Sequence, residues 1–475
     1  MDKTRIAEKA HNLESRKDLL LLLNEIKQDQ LTQMGYAKLF RPFTAQQINY
    51  YCNPNHTSNR YRQFKIRKKS GGWRAITSPR HKSFMGILWC LNEVFKALYT
   101  PSDYAKGFTE GRSVVDNANV HKGMNYVFNM DLKDFFPSIE QPRVWKRLQL
   151  PPFNFPLPVA NTIAGLCCMK VENESGTRYV LPQGAPTSPI ITNMICDRLD
   201  HRLAGVAKRF GLNYSRYADD ITFSSMHNAY RKNSDFRKEV LRVITGQNFT
   251  VNEKKTRLQR RQERQEVTGV TVNKKLNVQQ RYVRDIRNAL FIWEKHGYDT
   301  AYKCFLKKYK EEKGHVKKGI PDMVHVIEGK LLYLKMVKGE DDSIYHRLHT
   351  HYSTLCERLA DESTCTRQGI TYLKTFTFPD FEKKYETEIA IVHSDQEGNK
   401  HTYAWFDLEG KKIIASVNTG LNTKEDKQNF AISICRDQQN KQFWLVHHIY
   451  KKIESSTPKV DIDELNDELD SLLNL

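Results

Sequence analysis

The sequence predicts an α+β protein, on three observations. Between residues 126 and 270, short apolar runs of strand length surround one long helical segment and close in a tight hairpin. From residue 280 onward the apolar residues fall at helical spacing. Near the C-terminus, five runs of strand composition follow one another across turn-like connections. A chain of 475 residues is long enough for roughly two to four domains with sizeable cores.

Residues 1–50 read as helical within an N-terminal segment that runs to residue 60, with Asp18 as a cap before Leu19–Leu23. Residues 61–79 form a hairpin about Ser70-Gly71-Gly72, and 82–99 read as a helix. The run Tyr126 to Met130 is a buried strand that ends in Asp131, with Asp134 beyond it. Ser188-Pro189 reads as N-cap and first helical residue. The helix then repeats Ile191, Ile195 and Leu199 until Gly211 stops it. Leu212, Tyr214 and Arg216 alternate with polar residues before Tyr217-Ala218-Asp219-Asp220, and Ile221 and Phe223 alternate after it, so both acids lie at a hairpin tip. Val283, Ile286, Leu290 and Trp293 share a helix face, with Arg284, Arg287 and Lys295 off it, and Gly297 ends that helix. The five C-terminal runs place a small antiparallel β domain at about 380–454, joined by turns such as DQEGN, LEG and RDQQNK. Trp405, Phe406, Phe443 and Trp444 belong to its core. Ile462, Leu465, Leu469 and Leu472 make the last segment an acidic amphipathic helix.

Asp219 and Asp220 on a rigid hairpin, with Asp131 at the end of a buried strand, suit hard divalent cations. Plainer readings stand beside this one: two acids on a solvated turn, and Asp131 as a strand-end cap. The stiff loop Pro182-Gln183-Gly184-Ala185-Pro186 lets backbone approach a ligand closely, or is an ordinary strand-to-helix turn.

In this order and spacing, the three elements resemble motifs A, B and C of the reverse transcriptases. Asp131 matches the first metal-binding aspartate, Gln183-Gly184 the motif B loop, and Tyr217 to Asp220 the motif C box. FKIRKKSGGWRAITSP (64–79) is similar to the fingers motif that holds the incoming triphosphate, with Arg67, Lys68, Lys69 and Arg74 as the cations. Asn252 and Lys255-Thr256 resemble motif D. Three further segments resemble the retron branch: Asn117-Ala118-Asn119-Val120-His121 (NAxxH), Val267-Thr268-Gly269 (VTG), and a thumb-like stretch at 326–342. One departure is Ala105-Lys106-Gly107-Phe108, where the family has histidine at the second place. The resemblance covers about residues 10 to 355.

The resemblance implies a right-hand polymerase: fingers at 61–125, palm at 126–275 and helical thumb at 276–375. Beyond it, strand composition marks a β-rich extension at 376–475. The resemblance also implies two Mg²⁺ ions bridged by Asp131 and Asp219 with Asp220 in support, and Lys68, Lys69 and Arg74 on the triphosphate. Phe136 has two readings, a ring beneath the sugar that selects deoxynucleotides or a core residue beside Phe135. Gln183 contacts the nucleotide or the template, Tyr217 borders the nucleotide, Lys255 protonates the leaving pyrophosphate, and Asn117, His121, Val267 to Gly269, Arg284 and Arg287 face RNA. Retron enzymes copy their own structured noncoding RNA into DNA from a guanosine 2′-hydroxyl, leaving a branched hybrid, and serve antiphage defence with an effector protein. The alternatives are a related defence enzyme with another primer, such as a protein hydroxyl, and a nonenzymatic RNA-binding scaffold. A group II intron enzyme would bring a Cys/His endonuclease module, which the C-terminal residues lack.

Charge agrees. The net charge is +20, yet residues 376–475 hold 12 Lys and Arg against 18 Asp and Glu. The rest is therefore strongly basic, as a polyanionic partner requires, while the acidic extension suits contact with an effector or a second copy. Nine scattered cysteines without a Cys-x-x-Cys pair suit a reducing cytoplasm and disfavour zinc. Leu19–Leu23 is too short a run to span a membrane.

Overall fold

The computed structural model describes residues 1–67, 71–173, 176–313 and 321–364, together with strands within 373–449. Lys68, Lys69, the C-terminal turns and the terminal helix expected at 461–475 lie outside the described residues. Two compact units form, one of Met1–Asn288 with Lys308–Arg347, the other of Ala289–Lys307 with Leu348–Leu475.

The first unit begins with helices α1 (Lys3–His11), α2 (Arg16–Gln33), α3 (Ala45–Tyr51) and α4 (Thr57–Arg60). Asp18 is not the cap of α2. Ser15 holds that place and accepts from the Asp18 N–H at 3.3 Å, while the Asp18 carboxylate accepts from the Ser15 N–H at 2.8 Å. This reciprocal box satisfies two end donors at once. Strands β1 (Tyr61–Arg67) and β2 (Trp73–Pro79) make the expected hairpin, solvated except at its root. Arg60, fully buried, anchors that root by donating to the carbonyls of Gly165, Leu166 and Cys168. Helices α5 (Lys82–Leu98) and α6 (Val114–Asn119) follow.

Next come β3 (Tyr126–Asp131), α7 (Gln141–Leu148), α8 (Leu157–Cys167), the hairpin β4 (Met169–Asn173) and β5 (Gly176–Val180), α9 (Ser188–Arg209), β6 (Asn213–Tyr217), β7 (Asp220–Ser225), α10 (Asp235–Thr245) and β8 (Arg257–Arg260). Helix α9 starts one residue later than its sequence cap. Thr187 is the N-cap, and Ser188 is already helical, its hydroxyl donating to the Pro182 carbonyl at 2.7 Å. Strands β6, β7, β3 and β8 form one antiparallel sheet in that order.

Alternation along these strands divides the sheet into two faces. One carries Tyr214, Ile221, Phe223, Phe128 and Met130, all buried, beside α9 and α10. The other is polar: Asp131 lies directly across from Asp220, and Ser224 directly across from Asn213. A short hairpin, β9 (Glu266–Val267) and β10 (Val270–Thr271), stands against α6.

Helix α11 (Gln280–Lys313) is broken at Gly297, whose φ of 80° and ψ of 165° are not helical. Ile286, Leu290 and Trp293 are buried, as their spacing requires. Helix α12 (Met323–Lys338) buries Met323, Ile327, Leu331, Leu334 and Val337, and α13 (Ser343–Thr364) follows Gly339. In the second unit, Trp293 meets Tyr352 edge-on at 6.4 Å, and Glu294 pairs with His351 at 3.0 Å.

The C-terminal runs are strands: β11 (Leu373–Phe376), β12 (Phe381–Tyr385), β13 (Glu388–Ser394), β14 (Lys400–Asp407), β15 (Lys412–Ala415), β16 (Phe430–Asp437) and β17 (Gln442–Ile449). They lie in two antiparallel sheets, β12-β13-β14-β15 and β11-β17-β16. The last five correspond to the five sequence runs, whereas β11 and β12 add a strand to each sheet. Among the described residues, no helix is long and apolar enough to cross a membrane.

Candidate active site

The site is assembled where β3 and β7 end side by side. Asp131 closes β3 and Asp220 opens β7 directly opposite it, with Asp219 in the two-residue turn between β6 and β7. The backbone clamps this corner, because the Leu132 N–H donates to the Asp219 carbonyl at 3.0 Å and the Asn252 N–H to the Asp131 carbonyl at 2.7 Å. Three carboxylates brought together in partly buried surroundings repel one another. Burial and then the neighbouring Asp131 raise the Asp219 pKa, with Lys255 and Arg74 pulling the other way. Burial, then Asp219 and Asp131, push the Asp220 carboxyl up to about 6.

Lys255 relieves part of this repulsion. Its Nζ lies 2.7 Å from one Asp131 oxygen, while the Asn252 amide donates to the other at 3.2 Å. Among the described residues, no group of three or more His, Cys, Asp or Glu stands close enough to hold a metal ion unaided. The aspartates are therefore an anionic corner closed by a lysine, without a complete protein cage.

The turn itself is strained. Ala218 has φ 57°, a backbone region in which side chains are crowded. Two features hold it there. A Cβ on Gly107 would lie 2.5 Å from the Ala218 nitrogen, so only glycine lets that segment approach. Arg216, with no exposed surface, donates to the Ala218 carbonyl at 3.0 Å and forms two 2.7 Å bonds to Asp200 of α9. Tyr214 donates to Asp200 at 2.8 Å, Arg216 also donates to Asn193, and Asn193 in turn donates to the Gly107 carbonyl at 3.0 Å. Sequence reasoning saw Arg216 only as an alternating strand residue. A charged residue on the apolar face of a strand was the available signal, since burial of that charge demands a partner.

The motif B loop meets the first hairpin through backbone. The Thr77 N–H donates to the Gln183 carbonyl at 2.8 Å, and Gly184 has φ 128° with room for no Cβ beside Ile76 and Thr77. Arg67 and Arg74 are exposed on that hairpin, and the Arg74 charge is felt at Asp219. Tyr217 is half-buried beside the acids. Phe136 is half-buried, packed edge-on to Phe135 and tilted against Phe108. Asp134 is exposed with φ 47°, apart from the carboxylate corner.

A family model described as "Reverse transcriptase (RNA-dependent DNA polymerase)" matches residues 66–272. The retron Mx65 reverse transcriptase of Myxococcus xanthus is 39% identical over 240 residues, covering 47% of this chain and 54% of the relative. The retron Mx162 reverse transcriptase of the same organism is 37% identical over 237 residues, covering 46% and 48%. The retron Ec86 reverse transcriptase of Escherichia coli is 32% identical over 233 residues, covering 48% of this chain and 68% of that one. The chain belongs to the retron reverse transcriptase family. It spans about half the length of the two Myxococcus relatives.

The retron-like segments occupy places that sequence alone assigned differently. Asn117, His121 and Val267 are fully buried and present nothing to RNA, which corrects the expectation for them. Asn117 and His121 lie against the polar face of the sheet, the face that also carries Asp131 and Asp220. The Ser215 hydroxyl donates to Asn117 at 2.7 Å and so accepts from His121 Nε2 at 2.8 Å, leaving His121 Nδ1 to accept from Ser224 at 2.7 Å. Burial lowers the His121 pKa to about 3, so the ring is neutral. Thr268 (φ 48°) and Gly269 (φ 86°) form the turn of β9 and β10, where the Thr268 hydroxyl lies 3.4 Å from the Asn117 amide. NAxxH and VTG thus meet as one brace beneath the hairpin that carries Asp219 and Asp220. Arg284 and Arg287 are exposed on α11.

Proposed function

We infer that this chain is an RNA-directed DNA polymerase that extends DNA by nucleotidyl transfer at Asp131, Asp219 and Asp220. The observation that carries the reading is the placement of three mutually repelling carboxylates at one strained corner of a family sheet. Such repulsion has no structural benefit and is relieved by cations. Mg²⁺ suits the donor set, since it is ordinarily held by one or two carboxylates completed by substrate phosphates. Bound there, two such ions would stabilise the attacking and leaving oxygens of an in-line displacement.

The protein's own groups do the rest. Arg67 and Arg74, with Lys68 and Lys69, neutralise the triphosphate as it docks. Gly184 brings backbone close to the nucleotide and Phe136 sets the space beneath its sugar. Lys255, already at Asp131, is the proton donor within reach of the leaving pyrophosphate. The template is a cognate structured noncoding RNA and the primer a 2′-hydroxyl of that RNA, giving a branched RNA–DNA product. The setting is antiphage defence in the cytoplasm. The extension from 376 contacts an effector protein or a second copy.

Primer extension by the purified chain with its copurified RNA tests this. The wild type should incorporate deoxynucleotides with Mg²⁺ and yield a product sensitive to debranching enzyme. The Asp219→Asn/Asp220→Asn variant should make none while still retaining RNA. Normal synthesis by that variant would refute the assignment of the site.

A further inference from the structure

Behind Asp131 lies a second feature that the reaction does not use. The loop after β3, the first turns of α7, the β4–β5 hairpin and the loop 246–250 enclose a cavity of about 930 Å³. It falls within the ~300–1,000 Å³ of ordinary small-ligand sites and far exceeds a lone phosphate. Lys133, Arg143, Lys146 and Arg178 line it, against Asp134 and Glu140. Glu140 is already engaged by Arg178 at 2.8 Å. Arg143 is half-buried and lies over the Phe249 ring at 4.7 Å, with no acid beside it among the described residues. Burial without a counter-charge makes its cation costly, and lowers its pKa. The remaining wall is mixed, apolar at Pro137, Pro142, Val171 and Val180 and polar at Ser138, Gln247, Asn248 and Thr250.

Lys133, Arg143 and Lys146, which form no ion pair among the described residues, stand in a part-apolar cavity of nucleotide size and fit a phosphate ester that carries a flat organic body. The cavity is also tied to the carboxylate corner. The Lys133 N–H donates to the Thr250 carbonyl at 2.8 Å, one step along the same strand ends as the Asn252–Asp131 bond. We propose that this cavity is a second phosphate-binding site, taking one nucleotide unit with its phosphate at Arg143, Lys133 and Lys146. Its ligand is a phosphate ester from one of two sources, a residue of the bound RNA strand or a free nucleotide. The proposal rests on the polymerase reading only for the identity of the strand.

The test uses the full chain without divalent metal, so that failure of catalysis and failure of the cavity are read separately. Two probes are titrated: a short fluorescein-labelled single-stranded RNA at several salt concentrations, and adenosine 5′-monophosphate by calorimetry. The variants are Arg143→Gln/Lys146→Gln and, changing only exposed residues, Lys133→Gln/Lys146→Gln. If RNA is the source, the slope of log K against log salt falls by roughly 0.7 for each lost cation, and the monophosphate shows no saturable binding. If a free nucleotide is the source, the monophosphate binds the wild type saturably, both variants lose that binding, and the RNA slope is unchanged. Asp219→Asn/Asp220→Asn should match the wild type in both assays. An unchanged RNA slope together with no saturable nucleotide binding overturns the proposal.

Discussion

The Arg216–Asp200 pair offers the sharpest test of how the Ala218 turn is held. Both side chains are sealed from solvent, and Arg216 spends one donor on the Ala218 carbonyl. Asp200→Ala removes the one carboxylate that pairs with that guanidinium among the described residues, and leaves Asn193 and the Ala218 carbonyl as neutral acceptors. Breaking such a buried pair costs about 3–5 kcal/mol. At ~2 °C per kcal/mol for a unit of this size, the melting temperature should fall by roughly 6–10 °C. A differential thermal scan of the metal-free chain reads this directly. The double variant Arg216→Met/Asp200→Leu separates stability from positioning. An apolar pair of similar volume should recover most of the lost stability. DNA synthesis should stay low, because nothing then donates to the Ala218 carbonyl. A loss below about 1 kcal/mol for Asp200→Ala, or full activity in the double variant, would refute the reasoning.

Asp220→Asn should raise the melting temperature of the metal-free chain at pH 7. With its folded pKa near 6, above the usual carboxylate value, Asp220 contributes stability at low pH that is lost as pH rises through 6. Mg²⁺ should in turn stabilise the wild type and not Asp219→Asn/Asp220→Asn, as thermal scans with and without the ion would show. His121→Gln should flatten the acid limb of the stability profile. The folded ring titrates near 3 and an unfolded one near 6.5, so the wild type loses stability as pH falls through that window, which urea titrations at pH 4 and 7 measure. Gly107→Ala should cost about 1–3 kcal/mol by forcing the Ala218 backbone aside, and should lower synthesis in primer extension. Phe136→Ala should raise ribonucleotide incorporation in a competition assay; unchanged discrimination in a folded, active variant would leave the ring to packing against Phe108 and Phe135.

Elements whose cause is local could be read from the chain. Alternation around Tyr217 to Asp220 required a hairpin, and β6 and β7 form it. The helical spacing of Ile286, Leu290 and Trp293 required a buried face, and those residues are buried. Asp131, Asp219 and Asp220 were legible as acids at the ends of apolar strands, and folding sets Asp131 directly across from Asp220. Boundaries set by side-chain bonds shifted slightly, as Ser15 and Thr187 took capping places given to Asp18 and Ser188. What supports the carboxylate corner became visible only in the fold. Arg216 and Asp200 are 16 residues apart, and His121 lies 94 residues from Ser215 and 103 from Ser224. Hydrogen bonds across such separations leave no periodicity in the chain. A buried histidine and an RNA-facing one therefore look alike in sequence, until folding fixes which of them is sealed from water.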